Sequence, residues 1–96
     1  MEVLTSSYAG SLESGDVFVQ IAPNAGKGIQ LDLKSTVQRQ FGEQIRETAM
    51  TALRDLGVKD ALVTMDDKGA LDPVIEARVA AAAYRAARSE TYTWEV

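Results

Sequence analysis

"IQLDLKSTVQRQFGEQI", residues 29–45, contains the change of period on which the fold turns. Over its first six residues Ile29, Leu31 and Leu33 alternate with Gln30, Asp32 and Lys34, the two-residue repeat of a strand with one buried face. After Lys34 the apolar spacing lengthens to about 3.6 residues, the repeat of a helix. Val37, Phe41, Ile45, Ala49, Ala52, Leu53 and Leu56 then share one side. Ser35 with Gln38 three residues on forms a capping-box arrangement, and Gly57 stands where a left-handed C-terminal residue is wanted. The pattern predicts a helix from about Thr36 to Leu56.

On the N-terminal side, "DVFVQIA" (16–22) alternates in the same way, with Val17, Val19 and Ile21 opposing Phe18 and Gln20. "PNAGKG" (23–28) separates the two strands as a loop, and "TSSYAGSL" (5–12) reads as an earlier strand closed onto Val17 by a turn at "ESGD" (13–16). On the C-terminal side, "VKDALVTM" (58–65) alternates again and "DDKG" (66–69) reads as the turn that ends it. Asp72 and Pro73 form an N-cap and first-position pair before "VIEARVAAAAYRAAR", which predicts a second helix from Pro73 to about Arg88. Val74, Ile75, Val79, Ala82, Ala83 and Ala86 face its core, and the alanines permit close approach to a sheet. The tail, residues 89–96, alternates Tyr92 with Trp94 and is expected to be an edge strand or a docking segment. The order β-β-β-α-β-α predicts an α+β fold, a small and mainly antiparallel sheet with both helices on one face.

Ninety-six residues with 46% hydrophobic and 25% charged content suit one domain spanning residues 1–96. The absence of cysteine excludes disulfides, zinc thiolates and nucleophilic thiols together, and it fits a reducing compartment, so the cytoplasm is expected. The N-terminus has neither a basic start nor a long apolar stretch, and no window approaches a membrane span of roughly 18 apolar residues. No membrane association is expected. A net charge of −4, from 14 acidic and 10 basic side chains, repels a phosphate backbone, so nucleic acid is not an expected partner.

Few residues offer chemistry. Ser14, between Glu13 and Gly15, is the candidate hydroxyl, but nucleophilic catalysis by serine needs a base and the chain has no histidine. Glu13 and Asp16 lie close in sequence, yet a carboxylate near its ordinary pKa is a poor base for an alcohol. Local chemistry alone reads Ser14 and Gly15 as an exposed turn. Asp66, Asp67 and Asp72 miss the spacing of a calcium loop and read as turn and cap residues. "AGKG" (25–28) lacks the phosphate-cradling pattern. Lys68 sits in a turn, as the modified lysine of lipoyl and biotinyl domains does, but a capped helix follows it where those domains continue as strand.

Taken together, "AGSLESGDVFVQIAP" (9–23), "VQRQFGEQIRETAMTAL" (37–53) and "DDKGALDPVIEARVAAA" (66–82) resemble the acyl carrier protein of citrate lyase, its gamma subunit. The resemblance implies that Ser14 is a covalent anchor, joined through a phosphodiester to 2'-(5''-phosphoribosyl)-3'-dephospho-CoA, and that no catalytic residue lies in this chain. It implies that the cofactor supplies the thiol a cysteine-free chain lacks. The implied partners are an enzyme that attaches the group and the alpha and beta subunits of the lyase. The alpha subunit would exchange acetyl for citrate, and the beta subunit would cleave the citryl thioester to oxaloacetate and acetyl carrier. A divalent metal, where one is required, would belong to the beta subunit. Four-helix carriers differ, since their serine sits in a D-S-L motif at a helix start. Two other readings are the carrier of malonate decarboxylase, which uses the same kind of group, and an unmodified interaction module. A free-standing hydrolase ranks last for want of a base.

Overall fold

In chain order the elements are β1 (Ser7–Gly10), β2 (Val17–Ala22), β3 (Ile29–Ser35), α1 (Gln38–Asp55), β4 (Ala61–Asp67) and α2 (Asp72–Ala87), in a computed structural model that describes residues 1–87. This is the expected β-β-β-α-β-α order. The tail expected as an edge strand or docking segment lies outside the described residues. The four strands lie in the order β1-β2-β4-β3. β1 with β2 and β2 with β4 pair antiparallel, while β3 with β4 pairs parallel, so the sheet is mixed with two of its three pairings antiparallel. A parallel neighbour cannot be reached through a hairpin, and α1 supplies the crossover that returns the chain between β2 and β3.

Alternation decides which residues meet the helices. Val17, Val19 and Ile21 of β2 lie opposite Asp67, Met65 and Val63 of β4, and Val63 is in register with Leu31 of β3. All are buried. Ile75, Val79, Ala82, Ala83 and Ala86 of α2 and Ile45, Ala49 and Leu53 of α1 complete the core. Each fully buried aliphatic side chain of this size contributes roughly 1.5–3 kcal/mol by leaving water. The alternate positions Gln20, Gln30, Asp32 and Thr64 belong to the opposite face, where the rings of Tyr8 and Phe18 pack at a 39° tilt with 5.6 Å between centroids.

Several boundaries differ from the sequence reading, each for a tertiary reason. Ser35 is the last residue of β3 and not the cap of α1, because the register with β4 runs on to the pair Ser35↔Asp67. The capping-box partners still meet: the Ser35 amide donates to Gln38 Oε1 at 3.2 Å, and Ser35 Oγ accepts the Val37 N–H at 3.1 Å. Val37 occupies the cap position without a side-chain bond. Asp66 and Asp67 belong to β4 and not to the following turn. Asp67 is fully buried, yet its carboxylate accepts bonds from Ser35 Oγ (2.8 Å), the Gly69 amide (3.0 Å) and the Ala70 amide (2.9 Å). It thereby ties the ends of β3 and β4 to the turn leading into α2. At α2 the Leu71 carbonyl accepts the amides of Val74 and Ile75, so Asp72 lies in the first turn and not at the cap. Its charge still favours the positive end of the helix, and its carboxylate accepts the Gln44 amide at 3.3 Å. Gly57, with φ +77, ends α1 as expected, its amide returning to the Arg54 carbonyl at 2.9 Å. Phe41, on the same side of α1 as Ile45 by its helical spacing, is nevertheless 48% exposed.

Candidate functional site: the Ser14 turn

The hairpin from β1 to β2 is closed by residues 11–16, and its geometry begins at Gly10. There φ is +92, and a Cβ would strike the Val17 carbonyl oxygen, so only glycine lets the strands approach this closely. Six residues on, the Asp16 amide donates to the Glu13 carbonyl at 3.0 Å, defining a β-turn with Ser14 second and Gly15 third. Gly15 has φ +83, the left-handed value the third position of a type II turn requires.

The same glycine opens a bulge. Its amide donates to the Lys68 carbonyl at 2.7 Å, while the Lys68 amide donates to the Asp16 carbonyl at 2.9 Å. Gly15 and Asp16 thus oppose the single residue Lys68, the arrangement of a G1 bulge, which redirects the chain where pairing ends. Ser14 is left outside the ladder, exposed at the tip. Nothing lies within 4 Å of the point where a Cβ on Gly15 would project, so the space beside the serine is open.

Asp16 anchors the base of the turn. Its carboxylate receives Arg78 of α2 in a two-pronged pair, Nε to Oδ1 at 2.9 Å and Nη2 to Oδ2 at 3.0 Å. It also accepts Ser11 Oγ at 2.7 Å and the Val17 amide at 2.7 Å. The hydrogen bond from Arg78, followed by that from Ser11, outweighs partial desolvation and holds the Asp16 carboxyl at about 2. A carboxyl held below its ordinary value of 3.8 contributes stability that is full above that value and lost as pH falls toward the folded value. The melting temperature should therefore fall between pH of about 4 and about 2, and Asp16→Asn should lack that component of the decline. Identical slopes for the two proteins in that window would show that the clamp does not form.

These partners determine what Ser14 can do. A carboxylate committed to Arg78 and this acidic does not take a proton from an alcohol at neutral pH. Ser14 is an exposed hydroxyl on a braced turn, and Asp16 gives it no base. The open space beside it admits a bulky phosphodiester substituent, so the residues present fit one. Among the described residues no three His, Cys, Asp or Glu side chains are placed to hold a metal ion. Asp66, Asp67 and Asp72 serve separate ends, Asp66 pairing with Lys68 Nζ at 3.3 Å. Sequence reasoning located Ser14 and Gly15 but missed the Arg78 fork, the Ser11 bond and the Lys68 main-chain pairing. Arg78 lies 62 residues beyond Asp16, and no local pattern announces a contact across that distance.

Comparison with known proteins adds identity to this geometry. Residues 5–86 match the family described as malonate decarboxylase delta subunit (MdcD), an acyl carrier protein (ACP) family. The citrate lyase acyl carrier protein of Streptococcus equi subsp. zooepidemicus is 50% identical over 95 residues, covering 99% of this chain and 93% of its own. That of Klebsiella pneumoniae is 50% identical over 94 residues, covering 98% and 97%. Citrate lyase acyl carrier protein 2 of Salmonella typhimurium is 46% identical with the same coverage. Among solved structures, a chain from a Pseudomonas malonate decarboxylase hetero-tetramer in complex with malonate superposes with a TM-score of 0.74 at 18% identity. That match covers 86% of this chain and 84% of the other, and at such identity it speaks for the fold alone. Agreement along almost the whole chain with relatives this similar means that the chain belongs to the acyl carrier protein family of which the citrate lyase carriers are members.

Proposed function

We propose that this chain is the acyl carrier subunit of a citrate lyase and that Ser14 is the attachment point of a phosphoribosyl dephospho-CoA group. The observation that carries the reading is the state of Ser14: exposed, on a turn whose main chain is bonded to Lys68 and whose Asp16 carboxylate is committed to Arg78 and Ser11 and so is no base for it. When bound, the group supplies a thiol on a long arm and hence an acyl thioester, chemistry that this cysteine-free chain lacks.

The residues of the chain have a mechanical part. Ser14 Oγ would become the ester oxygen to phosphorus: the O–P bond forms as the P–O bond to a phosphate leaving group on an activated donor breaks, and the serine proton passes to the enzyme that makes the bond. Gly15 keeps the adjacent space free, while Asp16, Arg78 and the Lys68 main chain fix the point from which the arm swings. Fixing that point and leaving the rest mobile raises the effective concentration of the carried acyl group at neighbouring active sites. The partners in this reading are the alpha and beta subunits of the lyase and the attaching transferase, in the cytoplasm. Among the described residues no helix is long and apolar enough to cross a membrane.

A second reading, the carrier of a malonate decarboxylase, is favoured by the family description. The relatives near 50% identity carry the citrate lyase name, and this supports the first reading more strongly. Copurification of citrate-cleaving or of decarboxylase subunits separates the two. Tandem mass spectrometry of the peptide from Leu12 to Gln20, isolated from the native host, should locate the group on Ser14. A bare serine in that peptide would overturn the assignment.

A further inference from the structure

We propose that the groove between the N-terminal turns of α1 and α2 is the docking surface for the enzyme that loads Ser14. This partner presents an apolar side chain to the groove and basic groups beside it. The inference rests on Ser14 as the attachment point. The groove encloses about 460 Å³, with Val37, Phe41 and Ile45 on one wall and Ala70, Leu71 and Pro73 on the other. It is continuous with the serine turn: the Lys68 main chain is bonded to Gly15 and to Asp16, and the next residue, Gly69, already lines the groove.

Two large apolar side chains here are held in water. Phe41 is 48% exposed and Leu71 is 73% exposed. A scattered exposed leucine needs no explanation, but an aromatic and a leucine sharing one concavity beside a candidate modification site form a patch that a partner can bury. The charge beside the groove selects the partner. Glu43 and Glu47 of α1 and Glu76 of α2 line the adjoining surface. Among the described residues the ion pairs are Asp16 with Arg78 and Asp66 with Lys68, so these three glutamates face water without a cation at salt-bridge distance. An apolar cleft flanked by unpaired carboxylates complements a surface with an apolar anchor and basic neighbours, and steers it during encounter.

Geometry singles out the attaching enzyme. It must bring the Ser14 oxygen itself within bonding distance of phosphorus, so its surface closes over everything around the turn. Proteins acting at the far end of a long arm face no such requirement.

The test is steady-state kinetics of group attachment with the unmodified carrier as varied substrate, read by intact mass. Leu71→Ser, Phe41→Ser and the double reversal Glu43→Lys with Glu47→Lys are compared with wild type and with Glu2→Lys, a remote control. Each groove variant should raise KM for the carrier about tenfold or more, as loss of an interface anchor does, with kcat changed less than about twofold. The control should match wild type. Added salt of about 0.5 M should raise KM for wild type far more than for the double reversal. Circular dichroism checks folding, and if Phe41→Ser unfolds, the wholly surface reversal carries the test. Unchanged KM values with normal loading of wild type would overturn the docking surface and leave Ser14 standing. Normal loading of the variants with loss of lyase turnover would assign the groove to a lyase subunit and overturn it equally. Wild type that is never loaded would sink the Ser14 reading itself.

Discussion

Ser14→Ala should remain at its unmodified mass when produced beside the maturation enzymes that load the wild-type chain, and a lyase reconstituted with it should be inactive. The loss is complete because the variant removes the one oxygen through which the group would be joined, and the chain has no cysteine to substitute. Its fold should be nearly unaffected. Ser14 is exposed and none of the hydrogen bonds that brace the turn uses its side chain, so the change should alter stability by about 0.5 kcal/mol or less. The pairing of an unchanged melt with an absent mass shift is the informative result. A variant that still gains the group places the attachment elsewhere.

Gly10→Ala should act in the opposite sense, through stability and not through the attached atom. A Cβ at position 10 falls inside the Val17 carbonyl oxygen and 3.3 Å from Arg78 Cδ, and the φ of +92 is one that alanine adopts only under strain. Both neighbours are committed, Val17 to its pairing with Asp67 of β4 and Arg78 to Asp16, so relief requires β1 to part from β2. The expected cost is more than about 3 kcal/mol, a large share of the 5–15 kcal/mol that holds a typical domain together. For a chain of this size that lowers the melting midpoint by at least about 12 °C. Gly15→Ala is the matched control. Its φ is also positive, but its surroundings are empty, so only backbone strain remains, about 1 kcal/mol. Equal losses in the two variants would show that the steric argument at Gly10 is wrong.

How far the site could be read in advance depended on the range of each interaction. Ser14 and Gly15 were legible because a turn is a property of four adjacent residues and S-G is one of its dipeptides. The bracing of that turn was not, since Asp16 and Arg78 are neighbours only after α2 has crossed the strands. The acidic pair Asp66 and Asp67 misled in a similar way. Two aspartates after an apolar run suggest a turn, yet pairing with Val17 and Ser35 keeps Asp67 in the strand, and three donors meet its buried carboxylate. Phe41 satisfies the helical period and shares the apolar side of α1 with Ile45, Ala49 and Leu53. The first turns of α1 and α2 instead form a groove that leaves its ring half in water.

Composition and periodicity by themselves determined the element types and their order, because strand and helix repeats are carried by residues within a few positions of one another. Motif resemblance added the role proposed for Ser14. Only the tertiary structure decided that β4 lies between β2 and β3, one neighbour antiparallel and the other parallel. It also decided that the serine turn is clamped from α2 and opens beside an apolar groove. Those features arise from contacts between residues distant in the chain, whose energies exist only once the sheet and helices have closed on a common core.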